Sequence, residues 1–148
     1  MIRKLNLEDY KAWIELAKEV EPLFGPMTEI EEFREGMIYC INNENAFCVE
    51  TESKEIGGII AINRKEREIL WFAVKEKERR KAYGEKLLSK AIEELGDKKH
   101  IYVQTFAPNI DEGKSAINLY KKKGFEAYKD AEINPAGLET VIMRRKKQ

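Results

Sequence analysis

The chain has 148 residues, 43% of them hydrophobic, enough for one domain whose core needs neither disulfides nor a structural metal. Its 27 basic and 27 acidic residues cancel, which excludes a global field favouring nucleic acid or an anionic membrane and requires any basic site to be local. Two cysteines, Cys40 and Cys48, are too few for a disulfide framework or a four-cysteine zinc site, and the N-terminus lacks the apolar core of a signal peptide, so a cytoplasmic protein without a membrane span is expected.

Weak alternation over residues 2–5 predicts a short strand, and the spacing of Trp13, Leu16, Ala17 and Val20 predicts a first helix, opened by Leu7-Glu8-Asp9 and ended by Pro22. Phe24-Gly25-Pro26-Met27-Thr28 predicts a loop. Thr28 and Glu31 form a capping-box pattern ahead of Ile30, Phe33 and Met37, which predicts a second helix ending near Gly36. Residues 46–50 and 56–62, separated by Lys54-Glu55, predict a hairpin, and residues 69–74 a further strand. A helix over 84–95 follows, then a strand over 101–106, a polar loop over 107–114, and a helix over 115–123 with Gly124 as its C-terminal cap. Residues 125–128 and 140–143 predict two closing strands around a loop that contains Asn134-Pro135-Ala136-Gly137, and the basic tail 144–148 reads as a solvated end. The order β-α-α-β-β-β-α-β-α-β-β describes a single domain over residues 1–148: an α/β (α+β) fold with a mixed sheet flanked by helices.

Arg79-Arg80-Lys81-Ala82-Tyr83-Gly84-Glu85 stands out for chemistry. It joins the apolar strand Ile69-Leu70-Trp71-Phe72-Ala73-Val74 to a helix whose stripe is Leu87, Leu88, Ala91, Ile92 and Leu95. The first turn of a helix leaves its N–H groups unpaired and carries partial positive charge, so a strand, a basic turn and a helix start together make an anion site suited to a pyrophosphate. Gly57-Gly58 reads as close backbone packing within a strand rather than as a phosphate loop. His100 reads as a strand-end residue and the cysteines as core. One histidine and no carboxylate cluster at ligand spacing predict no metal.

With these residues in view, the chain resembles the GNAT superfamily of acetyl-CoA-dependent N-acetyltransferases. Arg79-Arg80-Lys81-Ala82-Tyr83-Gly84 aligns with the pyrophosphate signature Arg/Gln-x-x-Gly-x-Gly/Ala, and Ala116-Ile117-Asn118-Leu119-Tyr120-Lys121-Lys122-Lys123-Gly124-Phe125 is close to the family pattern Ala-x-x-Leu-Tyr-x-x-x-Gly-Phe. Two positions depart from the pattern. Ala82 stands where the first glycine is usual, with a methyl group that crowds the backbone but permits a helical φ, and Gly113 stands where an asparagine is common, leaving Asn109 or Ser115 as alternative polar contacts.

The resemblance implies a GNAT-like, mostly antiparallel sheet of about seven strands with about four helices. It implies acetyl transfer from acetyl-CoA to a primary amine, by direct attack through a tetrahedral intermediate. Arg79, Arg80, Lys81, Ala82, Tyr83, Gly84 and Glu85 would hold the pyrophosphate. Phe72, Ala73 and Val74 would run beside the pantetheine arm where a bulge splays two strands, with an amide near Val74 polarising the thioester. Tyr120 aligns with the tyrosine that serves many members as general acid, and Glu68 with a carboxylate that reaches the amine through water in some relatives. Gln104 stands where other relatives carry a catalytic glutamate. Lys114, Lys121 and Lys122 lie near the expected 3'-phosphate, though solvated helix faces explain them equally well.

The acceptor is expected between the N-terminal helices, the loop around Phe24 to Met27 and the loop over 134–138. Trp13, Phe24, Met27, Phe33 and Trp71 fit either an apolar wall or ordinary core packing, and Glu31 and Glu32 either attract a cationic amine or face solvent. The acceptor is a small-molecule amine or a protein or peptide amine, and a homodimer is in keeping with the family. The alternative is a non-catalytic acyl-CoA-binding or sensing protein of the same fold, favoured by Ala82 and Gly113 and opposed by Tyr120. A nucleic-acid-binding module is disfavoured by zero net charge and the lack of a recognisable motif.

Overall fold

The computed structural model describes residues 1–148. Its strands are β1 (Ile2–Lys4), β2 (Ala46–Glu50), β3 (Ile56–Asn63), β4 (Glu68–Val74), β5 (Ile101–Phe106), β6 (Phe125–Ala131) and β7 (Thr140–Arg145). The helices are α1 (Tyr10–Glu19), α2 (Glu21–Phe24), α3 (Glu31–Asn42), α4 (Tyr83–Leu95) and α5 (Lys114–Lys122). One seven-stranded sheet runs in the order β1-β2-β3-β4-β5-β7-β6, antiparallel everywhere except between β4 and β5. That parallel pair is the one joined by a helical crossover, α4, as parallel strands require.

Period-two alternation divides the core into two layers. On β2, Phe47 and Val49 join Leu87, Leu88 and Ala91 of α4 and Ile117 and Tyr120 of α5, while Ala46 and Cys48 join Trp13 and Leu16 of α1 and Met37, Cys40 and Ile41 of α3. A strand covered on both faces reads as a continuous apolar run, which β2 and β3 do. The edges are protected differently: β1 is three residues long, and β6 carries exposed charged residues such as Glu126, Lys129 and Asp130. No helix is long and apolar enough to cross a membrane.

Three local expectations are corrected. The second helix does not stop near Gly36 but runs to Asn42, because Met37, Cys40 and Ile41 bury its continuation, and Gly36 sits on an open face where nothing approaches it. Thr28 and Glu31 form no capping box: the helix is preceded by Ile30 without a side-chain cap, while Thr28 is buried and its carbonyl accepts from Arg34 Nε. The capping interactions instead lie at Asn6, whose Oδ1 accepts from Glu8 N at 2.9 Å while Asp9 returns a carboxylate to Asn6 N. Finally, Pro22 does not simply end the first helix but opens the single turn α2, as proline in a first turn can.

Candidate active site

Two structural events bring the site together at the middle of the sheet. In the β3–β4 ladder Ala61 pairs with Trp71 but Ile62 pairs with Ile69, so Leu70 is an extra residue and β4 bulges. Between β4 and β5, only Glu68 with Tyr102 and Ile69 with Val103 are in register, and from Leu70 to Val74 the two strands are splayed apart. The bulge also flips the alternation. Ile69 lies in the α4–α5 layer and so do Phe72 and Val74, whereas Trp71 and Ala73 pack in the α1–α3 layer. An open wedge lined by the β4 backbone results, leading from the start of α4 towards Glu68.

At the wide end of the wedge, Lys75 N donates to Gly57 O and Glu76 N to a Glu19 carboxylate, after which the chain turns through a 3-10 segment into Arg79. Arg80 has φ +70° and Ala82 has φ +63°, both left-handed. The left-handed conformation of Ala82 corrects the expectation of a helical φ, and it explains why glycine is usual at this position of the signature. A non-glycine residue pays about 1–2 kcal/mol there. Each fully buried leucine of α4, Leu87 and Leu88, contributes about 1.5–3 kcal/mol, so the packing of the helix holds the loop in this shape. Replacing Ala82 by glycine would remove the left-handed penalty while adding about 0.4–1 kcal/mol of unfolded-state entropy. The penalty is the larger of the two, so A82G is expected to raise the denaturation midpoint slightly, which urea titration would measure.

This backbone geometry leaves the amides of Arg80, Lys81, Ala82, Tyr83, Gly84 and Glu85 donating to no protein group, and the first bond of the helix is Lys86 N to Ala82 O. Such a row of unpaired N–H groups at a helix start is an anion cradle. The side chains around it divide by charge. Arg79 and Arg80 are exposed and make no ion pair, whereas Lys81 is held by Glu78 at 2.7 Å. Glu85 bridges to Lys122 at 3.1 Å and Lys123 at 3.3 Å, which keeps its carboxyl below the usual carboxylate range and ties the start of α4 to the end of α5. Lys114 pairs with Asp111. Among the expected anion-facing side chains, then, the two arginines are unengaged, and Glu85 enters the cradle through its amide rather than its carboxylate.

Small residues let the helix start sit this close to the sheet. A Cβ at Gly57 would come within 3.0 Å of the Tyr83 ring, and one at Gly58 within 3.0 Å of Leu87 and 3.1 Å of Ala73 O, which accounts for both glycines as close packing. A Cβ at Gly84 would meet Leu119, Phe72 and Val74 at ordinary distances of 3.4–3.8 Å, so alanine would fit there.

Tyr120 approaches the wedge from α5. Its ring packs on Phe72 at 6.2 Å and Phe125 at 5.5 Å between centroids, its residue is 4% exposed, and its hydroxyl has no protein hydrogen-bond partner. Burial holds that hydroxyl well above the ordinary tyrosine range, so it stays protonated at neutral pH. Glu68 lies at the narrow end, beyond the bulge, with no hydrogen bond to its carboxylate. Burial first, then the charge of Glu66, pushes its pKa up. Gln104, by contrast, is engaged with Thr140 Oγ1 at 2.9 Å, and that hydroxyl donates on to Glu132 O.

On the α1–α3 side, Trp13 stacks tilted on Trp71 at 5.8 Å, Phe24 meets Trp71 at 6.0 Å edge-on, and Trp71 Nε1 donates to Met27 Sδ at 3.4 Å. Phe106, 5.8 Å from Phe24, extends this wall and was not among the sequence candidates. The apolar pair Phe106-Ala107 at the end of the predicted strand was the available clue. Trp13 is fully buried and belongs to the core behind the wall, while Phe24, Met27 and Trp71 remain half-buried. The end of α2, which carries Phe24, docks on the β6–β7 loop: Asn134 Nδ2 donates to Leu23 O, and Gly25, at φ +95°, leaves no room for a Cβ against Pro135.

Gly113 has a steric explanation. A Cβ there would fall 2.5 Å from Phe106 Cβ and 2.7 Å from its ring, so the position that carries asparagine in the family is closed to any side chain here. Asn109 and Ser115 are both exposed and form no side-chain hydrogen bond that replaces it.

Comparison with known proteins agrees with this geometry. Residues 16–147 match the family model for the acetyltransferase (GNAT) domain. No curated protein matches the chain. Among solved structures, an acetyltransferase of the GNAT family from Staphylococcus aureus Mu50 superposes with a TM-score of 0.78 at 19% identity, over 100% of this chain and 99% of that one. A ribosomal-protein-alanine N-acetyltransferase from Brucella melitensis gives 0.77 at 19% identity, over 99% of each chain. A chain of the NatC complex bound to Gag peptide and CoA gives 0.78 at 19% identity, over 100% of this chain and 98% of that one. With a splayed β4–β5 wedge, an amide cradle at the start of α4 and a family match over most of its length, the chain belongs to the GNAT acetyltransferase family.

Proposed function

We propose that the protein is an N-acetyltransferase that moves the acetyl group of acetyl-CoA directly to a primary amine. The observation that carries this reading is the continuity between the six unpaired amides of Arg80 to Glu85 and the splayed backbone of Leu70 to Val74. A pyrophosphate fits the first and an extended amide-bearing arm fits the second, with Arg79 and Arg80 as counter-ions. Acetyl-CoA supplies an activated thioester. The protein's own residues then hold it, polarise it and manage two protons.

Glu68 is the base in this account. Its raised pKa makes it a better proton acceptor than an ordinary surface glutamate, and it receives the ammonium proton through water so that the neutral amine attacks. The C–N bond forms, the tetrahedral intermediate collapses with cleavage of the C–S bond, the departing thiolate takes the Tyr120 proton, and the second proton leaving the amine nitrogen is returned to the tyrosinate. Neither cysteine offers a covalent route: Cys40 and Cys48 are buried, and burial pushes both thiols up, Cys48 to about 11, leaving no thiolate to acylate at neutral pH. The half-buried wall of Phe24, Met27 and Trp71, backed by the buried Phe106, would receive the acceptor's apolar part.

Mass-spectrometric detection of acetyl transfer, with a panel of peptide N-termini, lysine peptides, polyamines and amino-sugar amines, tests the function. Transfer to at least one class is expected; CoA binding without turnover on any amine would favour the acyl-CoA sensor instead. The pH profile tests the base. Because only ionised Glu68 accepts a proton and its pKa is raised, kcat/KM is expected to rise with pH along a limb displaced above the ordinary glutamate range. E68Q should abolish that limb, and an unchanged profile would remove Glu68 from the mechanism.

A further inference from the structure

A second basic feature lies at the other end of α4 and plays no part in the chemistry above. A shallow cavity of about 510 Å³ is lined by Lys65, Glu66, Arg67, Lys98, Lys99, His100, Tyr102 and Lys147. Five permanent cations face one carboxylate. Elsewhere the chain pairs many of its surface lysines with acids, but Lys65, Lys98, Lys99 and Lys147 take part in no ion pair. In a chain of zero net charge, this is a concentrated and uncompensated positive patch.

The cavity is also built. Arg67, held at φ +55°, donates to the carbonyls of Leu95, Gly96, Lys99 and His100, locking the β3–β4 turn onto the α4–β5 turn. The same guanidinium answers the partial negative charge at the C-terminus of α4, so the lysines are surplus to that need. The third wall is pinned by Lys147 N donating to His100 Nδ1 at 3.0 Å and Gln148 N donating to Asp97 O. With Nδ1 accepting, the neutral imidazole carries its proton on Nε2 and keeps a donor to spare.

We infer that this cavity is a binding site for a compact oligophosphate anion, separate from the acetyl-CoA loop. Lysine ammoniums act as point-charge phosphate ligands, and a single carboxylate or chloride would leave most of them unanswered. The volume suits a small ligand. The thirteen residues of α4 put the two basic sites about 20 Å apart along the helix, too far for one pyrophosphate to serve both. Tyr102, edge-on to His100 at 6.4 Å, adds an aromatic wall that a nucleotide base would use and a bare phosphate chain would not.

The test titrates inorganic tripolyphosphate, and ATP in parallel, into the full chain by calorimetry at low ionic strength, using wild type, R79E/R80E and K98E/K99E. Lys98 and Lys99 are exposed, so their reversal should leave the melting curve in place. With CoA in excess to fill the amide cradle, tripolyphosphate is expected to bind wild type and R79E/R80E alike and to weaken by roughly tenfold or more in K98E/K99E, with CoA binding by K98E/K99E itself unchanged. Equal affinity for ATP would assign the site to the phosphate chain alone, and tighter ATP binding would place its base on Tyr102. No binding to wild type, or binding that survives K98E/K99E but falls in R79E/R80E, overturns the inference.

Discussion

Replacing Tyr120 by phenylalanine is expected to lower kcat by about a hundredfold or more, the range for losing a positioned general acid, while leaving acetyl-CoA affinity within roughly threefold of wild type. The hydroxyl is the group that decides the outcome. It is protonated because burial opposes its ionisation, and it makes no hydrogen bond within the protein. Removing it therefore leaves no buried partner unsatisfied, and the ring keeps its packing on Phe72 and Phe125. Thermal stability should be unchanged. Steady-state kinetics, cofactor titration and a melting curve on the same preparation separate the possibilities: a hydroxyl used only in packing predicts no kinetic effect, and a lower Tm would mean that the fold, not proton transfer, was lost.

Restoring the family's asparagine at position 113 is expected to harm the protein. A side chain there must displace Phe106 at its Cβ, next to the backbone of β5, and overpacking of this kind costs about 1–3 kcal/mol. For a chain of this size that corresponds to a fall in Tm of roughly 3–10 °C. Phe106 also supports Phe24, so KM for the acceptor should rise. Differential scanning calorimetry of G113A and G113N tests the cause: because the first side-chain atom already meets the Phe106 Cβ, G113A should lose most of the Tm that G113N loses. Unchanged Tm with tighter acetyl-CoA binding in G113N would mean that the glycine is merely a lost polar contact.

The fold was legible because hydrophobic period tracks burial here. The seven strands follow from alternating or continuous apolar runs, and β2 and β3, buried on both faces, were the clearest. The helix ends were less legible. Gly36 suggests a stop when only propensity is weighed, yet burial of Met37, Cys40 and Ile41 carries α3 six residues further, as tertiary packing often overrides propensity. Thr28 fits a capping pattern but is drawn into the interior instead.

At the site, the strand–turn–helix order was enough to place an anion cradle, since helix starts leave amides free whatever their side chains. The left-handed backbone at Arg80 and Ala82 was not visible, because neither residue type announces a positive φ. The Glu85 bridge to Lys122 and Lys123 and the contact between Gly113 and Phe106 join residues distant in sequence, which only the packing of α5 brings together. The same is true of the basic cavity, whose walls come from two separate turns, the start of β5 and the tail.

In this reading acetyl-CoA lies along the amide cradle and the splayed strand. Titration of acetyl-CoA into isotopically labelled protein, followed by amide NMR shifts, tests it most directly. Saturable shifts concentrated at Arg80 to Glu85 and Leu70 to Val74 are the expected result. Shifts confined to other surfaces, or none at millimolar acetyl-CoA, would mean that the cofactor does not bind there.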